Sequence, residues 1–227
     1  MNMVKPILLV YLSLILIFPF SSCMQGRDAG NQPMDSTRFV KGQMLISKSN
    51  PEIEIIFNGD FKFAGHQSFI LFENSEVTQF YFAQVDSFNQ IEALFTIQFE
   101  NYLPGIKEKY NYKIKDSVLI NNISFLHSPV YNEPPKVVTD TVKSDVWHRF
   151  NFLKSKGYKL PDEVIGHRFV RLIDRTKQKE ILIIYNVDIK RTGATSAELD
   201  TDNNKLTMVL HRLFKAALDG FEIVAYK

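Results

Sequence analysis

Residues 91–100, IEALFTIQFE, decide the fold class of this chain. Ile, Ala, Phe, Ile and Phe alternate here with Glu, Leu, Thr, Gln and Glu, so the second set is polar apart from Leu94. Because successive side chains of a strand point to opposite faces of a sheet, this alternation predicts a β-strand with one buried face. The 19 phenylalanines and 9 tyrosines also favour β-structure, since aromatic side chains suit pleated, half-buried surfaces.

Similar apolar runs, separated by turn signals, lie on both sides of this segment. Asn58-Gly59 is a tight-turn pair because both residues tolerate positive φ. The prolines of Glu133-Pro134-Pro135 end the strand-rich half, which we expect to form an antiparallel meander. Its predicted strands are residues 44–47, 52–57, 61–64, 68–73, 79–85, 92–100, 110–114 and 118–125.

The second half of the chain is organised differently. Ser144-Asp145 offers an N-cap to a helix that Gly157 ends, and Asn203 offers a cap to a second helix. The predicted elements are helix 146–156, a hairpin of strands 168–174 and 180–187, helix 206–218 and strand 221–226. A run of strands followed by helix, hairpin, helix and strand predicts an α+β fold. We expect a single sheet-centred domain over 38–227 with helices packed on it, and a sub-boundary near 132–143 as the alternative.

The N-terminus has the pattern of an export signal. Lys5 supplies the positive charge, residues 7–20 are apolar apart from Ser13, and two small residues follow. A spanning helix needs about 20 apolar residues, and this shorter run contains Pro19 and lacks a basic stop-transfer flank. The pattern therefore predicts that residues 1–22 are a cleaved signal peptide.

Cys23 is the only cysteine, so the chain has no intramolecular disulfide. A lone thiol at this junction resembles the lipobox of bacterial lipoproteins, with Ser21 and Ser22 fitting the pattern and Phe20 standing where leucine is usual. The resemblance implies that Cys23 is acylated and becomes the first mature residue. Met24, where inner-membrane lipoproteins carry aspartate, implies the outer membrane of the bacterial cell envelope. The alternative is an ordinary secretory signal with an incidental cysteine.

Residues 23–37 are small and polar, and we expect a flexible tether between the lipid and the domain. With 27 basic and 25 acidic residues, the chain has no strong field for nucleic acid or anionic lipid, so we expect no nucleic-acid partner. The expected partners are the membrane, through the lipid on Cys23, and an unidentified protein or small molecule.

Cofactor and metal motifs are missing from the sequence. There is no GxGxxG, GxxxxGK[ST], HExxH, GxSxG or CxxC, so we expect no cofactor. His66, His127, His167 and His211 have no spacing typical of metal ligands, so we expect no metal site.

Two places carry candidate catalytic residues. Glu100 and Tyr102, at the end of a predicted strand, offer a carboxylate and a phenol, although an ordinary strand-to-loop exit explains them too. His148 follows Asp145 by three residues, so both lie on one helix face. A carboxylate near an imidazole can orient it for base work, but Asp145 is also the first-turn acid that a helix dipole favours.

The predicted hairpin carries further polar residues. Arg168 and Tyr185 are candidate binding residues, together with Glu100 and Tyr102. An anion site built from Arg168 and Arg171 is one interpretation. Cross-strand charge pairs with Glu180 and Asp188 of the facing strand are the simpler one.

As a set, the motifs resemble a family of uncharacterised secreted bacterial proteins, which supplies no activity to carry across. The resemblance covers about residues 77–219, and a weaker one links the C-terminal part to exosortase-associated envelope proteins. The cysteine that those proteins carry after a segment like His127-Ser128-Pro129 is missing here. The residues of the first resemblance are Gln98-Phe99-Glu100 with Tyr102-Leu103-Pro104, Ser144-Asp145 with His148, Lys156-Gly157-Tyr158 with Leu160-Pro161, 168–174, and 180–188 with Gly193.

The sequence therefore favours a non-enzymatic envelope lipoprotein that acts as a binding or assembly module. The alternative is a hydrolase-like enzyme that uses Glu100, Asp145 and His148. Convergence of these three side chains in one cleft would favour the enzyme. A broad exposed apolar patch would favour a structural partner in an envelope assembly.

Overall fold

The computed structural model describes residues 37–131 and 143–226. These residues form the α+β fold that the sequence predicts, with antiparallel sheets of four and seven strands and three α-helices in the described ranges. The signal peptide, Cys23 and most of the predicted sub-boundary near 132–143 lie outside these residues.

The strands divide between the two sheets. The smaller sheet has the order β1-β2-β3-β11, with β1 (Arg38–Lys41), β2 (Met44–Lys48), β3 (Glu52–Phe57) and β11 (Phe221–Ala225). The larger sheet contains β4 (Lys62–Leu71), β5 (Ser75–Val85), β6 (Ile91–Tyr102), β7 (Ser117–Ile120), β8 (Ile123–Tyr131), β9 (Val164–Leu172) and β10 (Lys179–Asp188). The helices are α1 (Asp145–Ser155), α2 (Ser196–Thr201) and α3 (Asn203–Asp219), and a 3-10 turn spans Ile189–Thr192.

The larger sheet joins two meanders edge to edge, in the order β4-β5-β6-β10-β9-β8-β7. The β6–β10 pairing makes these two strands central, although some 80 residues separate them in the chain. At Gly166 of β9, an added Cβ would lie 1.7 Å from the carbonyl oxygen of Tyr185 on β10. Only glycine therefore permits the backbone approach between these strands.

One face of the larger sheet, which we call the aromatic face, packs against the smaller sheet and α3. Phe57 of β3 stacks on Phe82 of β5 with ring centroids 3.9 Å apart, and its ring lies 5.3 Å from that of Phe95. Val209 and Leu213 of α3 are buried in the same core. Each buried aromatic ring removes a large apolar area from water, so this layer is the main source of stability.

The other face is covered by α1 and by residues 103–116. Phe152 of α1 packs in a buried cluster with Tyr81 and Leu94. Further along the sheet, Tyr112 and Ile114 pack against a small apolar cluster on β9 and β10. Both faces of β6 are therefore buried, and the prediction that only one face is buried is wrong.

Several local predictions are settled by the structure. Ser144 caps α1 as predicted, since its hydroxyl accepts a hydrogen bond from the backbone N–H of Trp147. Asp202, not Asn203, caps α3. The prediction of a strand at residues 110–114 is wrong, because the backbone of this segment pairs with no strand of either sheet. Its apolar side chains pack onto the larger sheet instead. Residues 61–64 and 68–73 largely belong to one strand, β4, with an irregularity at Gly65.

Candidate functional site

Two glutamates lie directly opposite each other on the second face of the larger sheet. Glu100 of β6 and Glu180 of β10 are partners in the antiparallel register, and both are buried, with exposed fractions of 7% and 1%. Opposed residues of an antiparallel pair have Cβ atoms about 4.5–5.5 Å apart, so the carboxyl groups are neighbours. The sequence singled out Glu100 and interpreted Glu180 as a hairpin charge. Only the β6–β10 register reveals the pair.

A chain of hydrogen bonds runs across the strands to Glu100. The Tyr81 hydroxyl donates to Oε1 of Gln79. Nε2 of Gln79 donates to Oε1 of Gln98 at 2.6 Å, and Nε2 of Gln98 donates to Oε2 of Glu100 at 2.7 Å. Each of these hydrogen bonds is donated in the direction of the Glu100 carboxylate, so the series of hydrogen bonds has one orientation.

The covering segment supplies one tyrosine to each glutamate. The Tyr110 hydroxyl donates to Oε1 of Glu100 at 3.0 Å, and the Tyr112 hydroxyl lies 2.7 and 2.8 Å from the two carboxylate oxygens of Glu180. The tyrosines are two residues apart, so in an extended backbone both reach the same surface. These contacts hold the segment against the sheet.

The environment of the pair disfavours two negative charges. Burial raises the pKa of Glu180 to about 8, opposed by the Tyr112 hydrogen bond and reinforced by the charge of Glu100. Burial also raises the pKa of Glu100, opposed by hydrogen bonds from Tyr110 and Gln98. The pair therefore holds a proton at pH 7, as expected for neighbouring carboxyl groups out of water.

Two arginines lie in the same layer. Arg149 of α1 is fully buried, and its charge lowers the pKa of Tyr81 against the larger opposing effect of burial. Arg168 of β9 lies 5.8 Å from the centre of the Tyr112 ring and opposes the raised pKa of Glu180. Arg168 therefore brings positive charge from β9 toward Glu180, whereas Arg149 acts on Tyr81, at the start of the hydrogen-bonded series.

Some buried polar atoms of this face have no hydrogen-bond partner among the described residues. They are Oγ1 of Thr96, Nε of Arg168 and Oδ1 of Asn186. Asn186 also lines a cavity of about 10 Å³, which is close to the space that one water occupies. A water can therefore satisfy Asn186. We call the following set the polar site: Gln79, Thr96, Gln98, Glu100, Tyr110, Tyr112, Arg168 and Glu180.

The predicted catalytic residues do not form one cluster. Asp145 adjoins the polar site, since its carbonyl oxygen accepts a hydrogen bond from Gln79 at 3.4 Å and its charge helps to raise the pKa of Glu100. His148 instead stacks on Phe69 of β4, with centroids 3.7 Å apart and planes 10° from parallel. Burial, and to a smaller extent the charge of Lys143, lowers the pKa of His148, whereas the charge of Asp145 raises it. Within the described residues, no hydrogen bond or ion pair joins His148 to Glu100.

The other predicted binding residues are also separated. The ring of Tyr102 stacks on that of Tyr110 at 4.5 Å, at the rim of the polar site. Tyr185 lies on the aromatic face, 4.8 Å from the ring of Phe95. Arg168 and Arg171 are three positions apart on β9, so their side chains point to opposite faces and do not form one anion site.

The described ranges contain no group of three or more histidine, cysteine or acidic residues that could hold a metal ion. Nor is any helix described there long and apolar enough to cross a membrane. Comparison with protein-family models, with curated proteins and with solved structures finds no match to this chain.

Proposed function

We propose that this chain is a lipoprotein of the bacterial outer membrane whose domain binds a small polar molecule at the polar site. The N-terminal signal and Cys23 support the address. The buried pair of Glu100 and Glu180 is the observation that carries the binding function.

The buried polar face of the larger sheet lowers the stability of the fold. A buried ionisable group is stable only when it is paired or neutralised, and apolar residues of similar volume would stabilise a sheet face at least as well. Here two buried acids lie opposite each other, burial raises the pKa of Glu180 to about 8, and Arg168 keeps a donor without a partner among the described residues. The hydrogen bonds of Tyr110 and Tyr112 are explained by their role in attaching the covering segment to the sheet. That attachment does not require two opposed glutamates or Arg168. A polar ligand would use both.

The assembly version of the hypothesis has less support. Among the described residues, the exposed large apolar side chains are dispersed over several elements instead of forming one broad patch: Ile70 and Phe72 at the β4–β5 turn, Phe88 before β6, Leu119 on β7 and Met208 on α3. Isolated exposed apolar residues are normal on soluble surfaces. A small-molecule ligand therefore fits the domain better than a large apolar partner.

The test is recovery of the ligand by native mass spectrometry. The tagged lipoprotein is purified from membranes, equilibrated with a small-molecule extract of the same envelopes, and weighed intact. We expect one recurrent bound mass on the wild type and its loss in Glu180→Gln. Glu76→Gln, which changes an exposed glutamate of β5, is the matched control and should keep the ligand.

An unliganded wild type, or equal occupancy in the wild type and Glu180→Gln, would overturn the proposal. Thermal unfolding of each variant establishes that it is folded. Loss of ligand from a folded Glu180→Gln variant separates binding from a purely structural role.

Acid–base catalysis at the same pair is the second candidate, favoured by the raised pKa of both glutamates. A general acid must hold its proton near working pH, and Glu180 satisfies this condition. This version replaces His148 of the sequence-based hypothesis with Glu180. The same small-molecule extract also tests the catalytic hypothesis. The wild-type enzyme would convert its substrate to a product of different mass, whereas Glu180→Gln would leave the substrate unchanged.

A further inference from the structure

Two histidines form a hydrogen-bonded pair on the aromatic face, away from the polar site. Nε2 of His127 on β8 lies 2.8 Å from Nδ1 of His167 on β9. Nε2 of His167 in turn lies 2.8 Å from the carbonyl oxygen of Leu210 on α3. The pair therefore connects the sheet to the middle of the helix.

These contacts fix the tautomers of both rings. A carbonyl oxygen only accepts, so Nε2 of His167 carries the hydrogen, and Nδ1 of the neutral ring accepts from Nε2 of His127. Burial keeps both rings neutral. It lowers the pKa of His167 to about 4, although the hydrogen bond to the Leu210 carbonyl acts in the opposite direction. It also lowers the pKa of His127, although the charge of Asp116 acts in the opposite direction. Nδ1 of His127 is consequently left with a lone pair, and no donor among the described residues bonds to it.

The pair lies at the wall of a groove with a volume of about 300 Å³ between β8, β9 and α3. The ring of Phe214 packs 4.5 Å from that of His127, and Leu210 and Pro129 add apolar walls. Small-molecule sites have volumes of about 300–1,000 Å³, with mostly apolar walls and a few placed polar groups. The groove matches the small end of this range.

We infer that this groove is a second binding site, for a small planar molecule that carries one hydroxyl donor, of the phenol or enol class. The hydroxyl donates to Nδ1 of His127, and the ring packs against Phe214 and Pro129. The site is independent of the polar site, because His127 and His167 lie on the face of the sheet opposite to Arg168.

Two matched probes test this inference on the full-length lipoprotein by fluorine NMR. 4-Fluorophenol has the donor, and 4-fluoroanisole has the same ring with the donor blocked. One hydrogen bond contributes about 0.5–1.5 kcal/mol, so we expect 4-fluorophenol to bind up to roughly tenfold more tightly. His127→Phe keeps an aromatic ring and should reduce the affinity for 4-fluorophenol to that for 4-fluoroanisole. Two control variants should leave the affinities for both probes unchanged. They are His66→Phe, which replaces a half-buried histidine of β4, and Glu180→Gln.

Nitrogen NMR of the wild-type imidazoles makes the test independent of how well His127→Phe folds. We expect Nε2 of His127 to be protonated, and its Nδ1 signal to shift with 4-fluorophenol but not with 4-fluoroanisole. Equal affinity for the two probes, no binding of either at millimolar concentration, or an unmoved Nδ1 signal would each refute the inference.

Discussion

Replacement of Glu180 by glutamine should remove a fall in stability that the wild type undergoes as pH rises through neutrality. The pKa of Glu180 is about 8 in the folded protein against an ordinary value of 4.5, so between these values the folded state binds more protons than the unfolded state. Stability therefore falls as pH rises through this window, and 3.5 pKa units correspond to about 5 kcal/mol at most. Glutamine keeps the size of the side chain and an acceptor for Tyr112 but never ionises.

His167 has the opposite effect at lower pH, which sets the range of the measurement. Its pKa falls from 6.5 to about 4 on folding, so the unfolded state binds more protons between these values and stability rises with pH there. At pH 6.5 the unfolded His167 is still half protonated, so His167, like His127 and His148, adds a small rise in stability up to about pH 7.5. The wild type and Glu180→Gln share these effects. The difference between the two proteins therefore isolates Glu180, which should cost the wild type about 2 kcal/mol between pH 6.5 and 8.

Urea unfolding at pH 6.5, 7.0, 7.5 and 8.0 measures this slope. Relative to Glu180→Gln, the free energy of unfolding of the wild type should fall by about 2 kcal/mol over the range, and Glu180→Gln should be the more stable of the two at pH 8. Glu76→Gln should parallel the wild type. If the wild type and Glu180→Gln have equal slopes, the raised pKa of Glu180 and the reasoning from its burial are refuted.

Three other predictions follow from single residues. In the Glu180→Gln background, His167 should account for about 2.5 kcal/mol of the stability lost from pH 6.5 to 4, and a further His167→Gln change should reduce the loss by that amount in urea unfolding. Phe57→Ala should cost about 3–5 kcal/mol, measured by thermal unfolding, because Phe57 is buried and stacked on Phe82, and a cost below about 1 kcal/mol would contradict this packing. Wild-type cells should incorporate labelled palmitate into the protein, and cells with Cys23→Ser should not. Equal incorporation would contradict the acylation of Cys23, and only the prediction of an export signal would stand.

Part of the candidate site could be predicted from local sequence. Glu100 was found because it ends an alternating run, and Asp145 because it follows the cap Ser144 at the start of a helix. Glu180 was not found, because an acid at one end of an apolar hairpin strand has the pattern of a surface charge. His127 and His167 were noted only as histidines without ligand spacing, since their contact depends on the pairing of β8 with β9.

The alternation in residues 91–100 determined by itself that this segment is a strand, and the order of such patterns along the chain determined the α+β class. These properties depend on neighbouring residues, whose side chains alternate in any strand. Only the tertiary structure decided that the polar set of this strand is buried too, and that Glu100 faces Glu180. Alternation cannot distinguish a polar face in water from one covered by a helix and a loop, because burial and register depend on segments far apart in the chain.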